Sequence, residues 1–138
     1  MRLLLDIHTF IWWDSEPVKL SAQALALCRD RQNSLLLSVA SVWEMQIKLQ
    51  LDKLKLTLPL SALIESQQQT NHLEILPILL PHVLALQQLP PHHKDPFDRL
   101  LIAQATVEDT VIVSNDPIFP SIQITCFGES ALQHRLPA

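Results

Sequence analysis

Two spacings of apolar residues alternate along this chain. Short unbroken runs read as buried strands, and stretches with an apolar residue every three or four positions read as helices. Leu3 to Leu5 is the first run and stops at Asp6. His8 to Trp13 turns straight into a short helix, and Ala22, Leu25, Ala26 and Cys28 space a second one from Ser21 to Arg31, capped by Ser21. Ser34 to Leu37 is the next strand. Ser38 then caps a helix over VASVWEMQIKLQL, in which Val39, Trp43, Ile47 and Leu51 recur at helical spacing and Glu44 sits at the edge of the apolar face. Leu60 to Thr70 reads as a further helix. Leu73 to Ile78 reads as a third strand, shortened by Pro77, which cannot donate to a ladder. Pro81 opens a helix through Leu89 that Pro90 and Pro91 stop. Val111 to Val113 and Ile122 to Cys126 are the fourth and fifth strands.

Before the fourth strand stands PHHKDPFDRLLIAQA, where a proline-rich loop runs into a helix apolar nearly all round. Asp95 suits the N-cap and Pro96 the first helical position, so the helix begins there. Its first turn nonetheless carries Asp98. A carboxylate opening a buried helix costs free energy unless something compensates it. Capping alone is the plain explanation, since an acid at that position favours the helix dipole. The alternative is that other acids converge on it.

Strands and helices alternate through short connections, which makes an α/β domain with a mainly parallel sheet the economical fold, as a single domain over residues 1–138. Sites in such sheets form beyond the carboxyl ends of the strands. Asp6 follows the first strand there, Glu44 lies within two turns of the second strand's end, and Asp116 follows the fourth, which Ser114 ends. Asp98 opens the helix leading into the fourth strand, so it starts near the same edge. Four carboxylates on one edge repel one another unless a divalent cation holds them. An all-oxygen set points to Mg²⁺ or Mn²⁺, and such an ion serves phosphodiester hydrolysis. Ser114 can orient a water or a carboxylate through its hydroxyl.

Composition narrows the alternatives. Apolar residues make up 48% of the chain and charged residues 17%, which argues for a packed core over disorder. A net charge of −4 is not that of a protein that coats nucleic acid, although a local basic groove is compatible with it. Gly128 is the one glycine, so a Gly-rich phosphate loop is excluded. Cys28 and Cys126 match no metal or redox spacing and read as free thiols of a cytoplasmic protein. The apolar N-terminus is broken by Asp6 and His8, and reads as neither signal peptide nor membrane span.

LLLDIHTFIWW, SVASVWEMQIKLQLDKL, HHKDPFDRLLIAQA and VIVSNDPIF, in that order, resemble the four signature blocks of PIN-domain ribonucleases. More narrowly they are similar to the VapC-like toxins of type II toxin–antitoxin modules. The resemblance implies a three-layer α/β/α domain with strand order 3-2-1-4-5, in which Asp6, Glu44 and Asp98 match the core acids and Asp116 the fourth. Ser114 falls where the family has threonine or serine. It also implies Mg²⁺ or Mn²⁺ dependence, cleavage of RNA, a homodimer and a cognate antitoxin protein. Ile7 departs from the pattern, standing where a threonine commonly follows the first acid.

Plainer readings exist for each residue. Asp6 can terminate a strand, Glu44 can be an ordinary helix-surface residue, and Asp116 can open a turn with Pro117. His93 and Lys94 are candidates to approach RNA phosphate. Trp12, Trp13 and Trp43 suit a core or a dimer interface better than base stacking, because no basic stripe interleaves them. A phosphatase using Asp6 as nucleophile needs a second acid two residues on, where His8 stands. A catalytically silent or receiver-like binding module with an acidic pocket needs a lysine after the fifth strand, and Thr125, Cys126 and Phe127 offer none.

Overall fold

The computed structural model describes residues 1–90 and 95–114. Four parallel strands form the sheet: β1 (Arg2–Leu5), β2 (Ser34–Ser38), β3 (Glu74–Leu76) and β4 (Val111–Val113), in the order β3-β2-β1-β4. This is the expected 3-2-1-4 core of the order; the expected fifth strand and Asp116 lie outside the described residues. β1 pairs with β2 and β4, so the strand order reverses between β1 and β4. Receiver-like sheets of order 2-1-3-4-5 place β3 there instead, and this chain does not have that topology.

The helices are α1 (Ile7–Ser15), α2 (Ala22–Arg29), α3 (Val39–Gln50), α4 (Leu60–Asn71), α5 (Leu80–Leu84) and α6 (Pro96–Glu108). Strand side chains alternate between two cores. Leu3, Leu5, Leu35, Leu37, Val111 and Val113 face one cluster, filled out by Phe10, Ala24, Met45 and Leu63 from helices. Leu4, Leu36 and Ile112 face the other, against Leu101, Ile102 and Ala105 of α6. Both faces are therefore covered, which explains why the strands read as unbroken apolar runs rather than as alternation.

Three features differ most from the sequence reading. β3 spans only Glu74–Leu76, ending before Pro77. The helix expected from Pro81 through Leu89 ends at Leu84 and continues as a 3-10 turn over Ala85–Gln88. The third difference is one of orientation. Of the expected Val39, Trp43, Ile47 and Leu51 stripe along α3 and its C-cap, Val39, Trp43 and Leu51 are exposed, at 39%, 58% and 57%, and Ile47 is half-buried, while Ala40, Ser41 and Met45 are buried. Val42, Met45 and Leu49 form a second apolar stripe on this helix, and it is the one that packs on the core.

A buried polar network ties the two core-facing helices together. Gln104, fully buried in α6, accepts from the Ser38 hydroxyl, whose oxygen also caps α3 by accepting from the Ala40 N–H at 3.0 Å. Its amide donates to the Pro77 carbonyl at 3.1 Å and approaches His82 Nδ1 at 3.3 Å. Nδ1 accepts the Leu79 N–H at 3.0 Å, so the ring proton sits on Nε2 and donates to Glu108, 2.7 Å away. Satisfied networks of this kind are costly to break, because the partners left behind stay buried. Gln104→Leu, close in volume but without the amide, should lower stability by about 1–3 kcal/mol. Urea unfolding measures this; a midpoint equal to the wild type's would show the network to be energetically neutral.

Candidate active site

β1 passes into α1 without a loop, and Asp6 stands at the joint. It is the N-cap of α1, with Oδ1 accepting from the Thr9 N–H at 2.8 Å. Oδ2 accepts from the Ser114 hydroxyl at 2.5 Å, so the residue after β4 holds the residue after β1. Two further bonds fasten this joint to β4: the Asp6 N–H donates to the Val113 carbonyl at 3.3 Å, and the Thr9 hydroxyl donates to the same oxygen at 2.9 Å. The Asp6 carboxylate thus sits where the strand order reverses, with lone pairs left for a further partner.

Glu44 reaches the same place from α3. Ser41, Glu44 and Lys48 follow one another at helical spacing, and all three line a cavity of about 200 Å³ with Asp6, Ile7, His8, Asp95, Phe97, Asp98 and Leu101. The Glu44 carboxylate pairs with the Lys48 ammonium at 3.1 Å. Asp98 enters from the first turn of α6. Asp95 is the N-cap of that helix, accepting from the Phe97 N–H at 2.8 Å and the Asp98 N–H at 3.0 Å. Trp43 lies edge-on to Phe97, which lines the cavity, with ring centroids 5.1 Å apart.

Asp6, Glu44 and Asp98 therefore share one cavity at the carboxyl edge of the sheet, and Ser114 bonds directly to Asp6. Asp116, His93 and Lys94 lie outside the described residues. Lys48 escaped the sequence reading because a lysine four residues after a glutamate is ordinary helix-surface chemistry. Its place on the same helical stripe as Glu44 was the available signal. A larger cavity, of about 310 Å³, opens at the opposite, amino edge of the sheet, away from these acids and lined by Arg29, Arg31 and His72 among others.

The acidic set suits a hard divalent cation in kind, all its donors being carboxylate oxygens. In position it is spread: among the described residues no three His, Cys, Asp or Glu side chains form a group able to hold one ion. Glu44 is drawn toward Lys48 through Oε2 and Asp6 toward Thr9 and Ser114, so gathering them around one ion requires the side chains to move together.

A parallel sheet of this order, with acids lining one cavity at its switch point, defines an α/β class of fold with an acidic cleft at the carboxyl edge of its strands. The chain belongs to the PIN domain family, which matches residues 3–124. Two solved structures resemble it in fold. VapBC2 from Rickettsia felis, bound to a DNA fragment from its promoter, matches with a TM-score of 0.65 and 16% identity, over 91% of this chain and 97% of that one. FitAcB from Neisseria gonorrhoeae matches with a TM-score of 0.59 and 18% identity, over 89% of this chain and 95% of that one. Among curated proteins, none matches this chain.

Proposed function

We propose that this protein is a metal-dependent endoribonuclease acting in the cytoplasm as the toxin of a type II toxin–antitoxin pair. The observation that carries the reading is the meeting of Asp6, Glu44 and Asp98 in one cavity at the switch point of a PIN-family sheet. Asp6, Glu44 and Asp98, with Asp116, are the residues that would hold Mg²⁺ or Mn²⁺. Such an ion supplies Lewis acidity toward a phosphate oxygen and a water acidified for in-line attack. The protein's own part is orientation. Ser114 fixes one Asp6 oxygen, the α1 cap fixes the other, and Asp95 sets the start of α6 and hence the height of Asp98.

The resemblance in fold to VapBC2 and FitAcB supports an antitoxin partner. An acidic cavity is silenced most directly by a cation, and arginine offers carboxylates a bidentate fit. A homodimer fits the apolar side chains that Leu79, Leu80, Val83 and Leu84 expose on and beside α5.

Purified protein should cut single-stranded RNA in the presence of Mn²⁺ and stop on addition of EDTA. Expressed alone it should arrest a bacterial host, and co-expression with its antitoxin should restore growth. Intact RNA under every divalent ion tried would overturn the nuclease reading. RNA cleavage in vitro with no effect of soluble protein on any host would remove the toxin assignment and leave the nuclease.

A further inference from the structure

Among the described residues lining the acidic cavity, Lys48 is the only lysine or arginine, set against Asp6, Glu44, Asp95 and Asp98. An i,i+4 glutamate–lysine pair is usually a decoration of an exposed helix face. Here the exposed face of α3 is the one that carries Val39, Trp43 and Leu51, whereas Ser41, Glu44 and Lys48 share the stripe that lines the cavity. The Lys48 ammonium has three donors, and Glu44 occupies one of them at 3.1 Å. Its side chain lines the cavity and is 37% exposed, which leaves room for a molecule entering the cavity to reach it.

An RNA phosphate brought to this edge carries a negative charge toward four carboxylates. A positive charge within the cavity wall offsets that repulsion where it is greatest. Resting on the nuclease reading above, we infer that Lys48 is a substrate-binding residue: it holds the Glu44 carboxylate in the free protein and takes a non-bridging oxygen of an RNA phosphate with its remaining donors. Two consequences of opposite sign follow for one substitution. Without the ammonium, RNA binds more weakly. A divalent cation binds more tightly, because Glu44 is released from its partner and the cavity becomes more negative.

Binding of a fluorescent single-stranded RNA, followed by anisotropy in EDTA across a salt series, separates these effects when wild type, Lys48→Gln and Lys48→Arg are compared. Lys48→Gln should weaken RNA binding and flatten the slope of log affinity against log salt by about 0.7, the share of one phosphate contact on a single strand. Lys48→Arg should keep the wild-type slope. Calorimetric titration with Mn²⁺ alone should show Lys48→Gln binding the ion more tightly than wild type. A role confined to holding Glu44 gives the tighter Mn²⁺ binding with an unmoved salt slope, and misfolding weakens both ligands together. An unmoved salt slope, no RNA binding by wild type, or weaker Mn²⁺ binding by Lys48→Gln would overturn the assignment. Mn²⁺-dependent product from the wild type scores the nuclease reading separately: product with an unmoved slope defeats Lys48 alone, and absence of product defeats the reading beneath it.

Discussion

On the proposed function, Asp6→Asn should lower Mn²⁺-dependent RNA cleavage by at least about a hundredfold, since loss of even a supporting partner of a metal ligand costs about 10–100-fold. Glu44→Gln should do the same, and both variants should stay folded. Asparagine is chosen because Asp6 has two jobs. Its Oδ1 caps α1 and its Oδ2 takes the Ser114 hydroxyl. Asparagine ranks with aspartate as an N-cap, whereas alanine would add a stability loss of about 0.5–2 kcal/mol and blur the result. At Glu44 the change removes the ion pair with Lys48, an i,i+4 contact of about 0.3–0.5 kcal/mol. Relief of repulsion among the remaining carboxylates opposes that loss. Thermal unfolding and cleavage of single-stranded RNA, measured on the same preparations, check both claims. A folded variant that cuts RNA at the wild-type rate would take its residue out of the site.

The parts of this fold that were legible in the sequence are those where one physical requirement dominates. Leu3–Leu5 of β1 and all of β4 had to be apolar because helices cover both faces of the sheet, and their runs end where the carboxyl edge begins. Asp95 and Pro96 together admit little but a helix start, and α6 begins there. α3 presents two apolar stripes at helical spacing, and the one that meets the core is Val42, Met45 and Leu49, with Ala40 and Ser41 buried beside it. Val39, Trp43 and Leu51 belong to the other stripe and are exposed. Gln104 was hidden for a different reason: within an apolar run it looks like a tolerated exception, and its partners Ser38, Pro77 and His82 come from three distant segments. The convergence of Asp6, Glu44 and Asp98 was legible from topology alone, since parallel strands place their carboxyl ends on one edge. The pairing of Glu44 with Lys48 was not, because sequence spacing leaves open which side of a helix meets the cavity.

Asp95 and Asp98 stand three residues apart, both line the cavity, and the two are expected to fail in opposite ways. The Asp95 carboxylate is spent on the helix, with one oxygen accepting from the N–H groups of Phe97 and Asp98. Asp95→Ala should therefore cost about 0.5–2 kcal/mol of stability. Below its unfolding transition the variant should still cleave RNA with Mn²⁺, because α6 is also fixed through Gln104 and the apolar contacts of Leu101, Ile102 and Ala105. Asp98→Ala removes an acid that favours the helix dipole, an effect of about 0.3–1 kcal/mol, and relieves repulsion from Asp6, Glu44 and Asp95. Its stability should stay within about 1 kcal/mol of the wild type. Its activity should fall by at least about a hundredfold, the scale of losing a metal-site contact. Unfolding curves and Mn²⁺-dependent cleavage at low temperature, run side by side, decide between the two residues. A stable but inactive Asp95→Ala together with an unstable but active Asp98→Ala would move the metal-binding role three residues back along the chain.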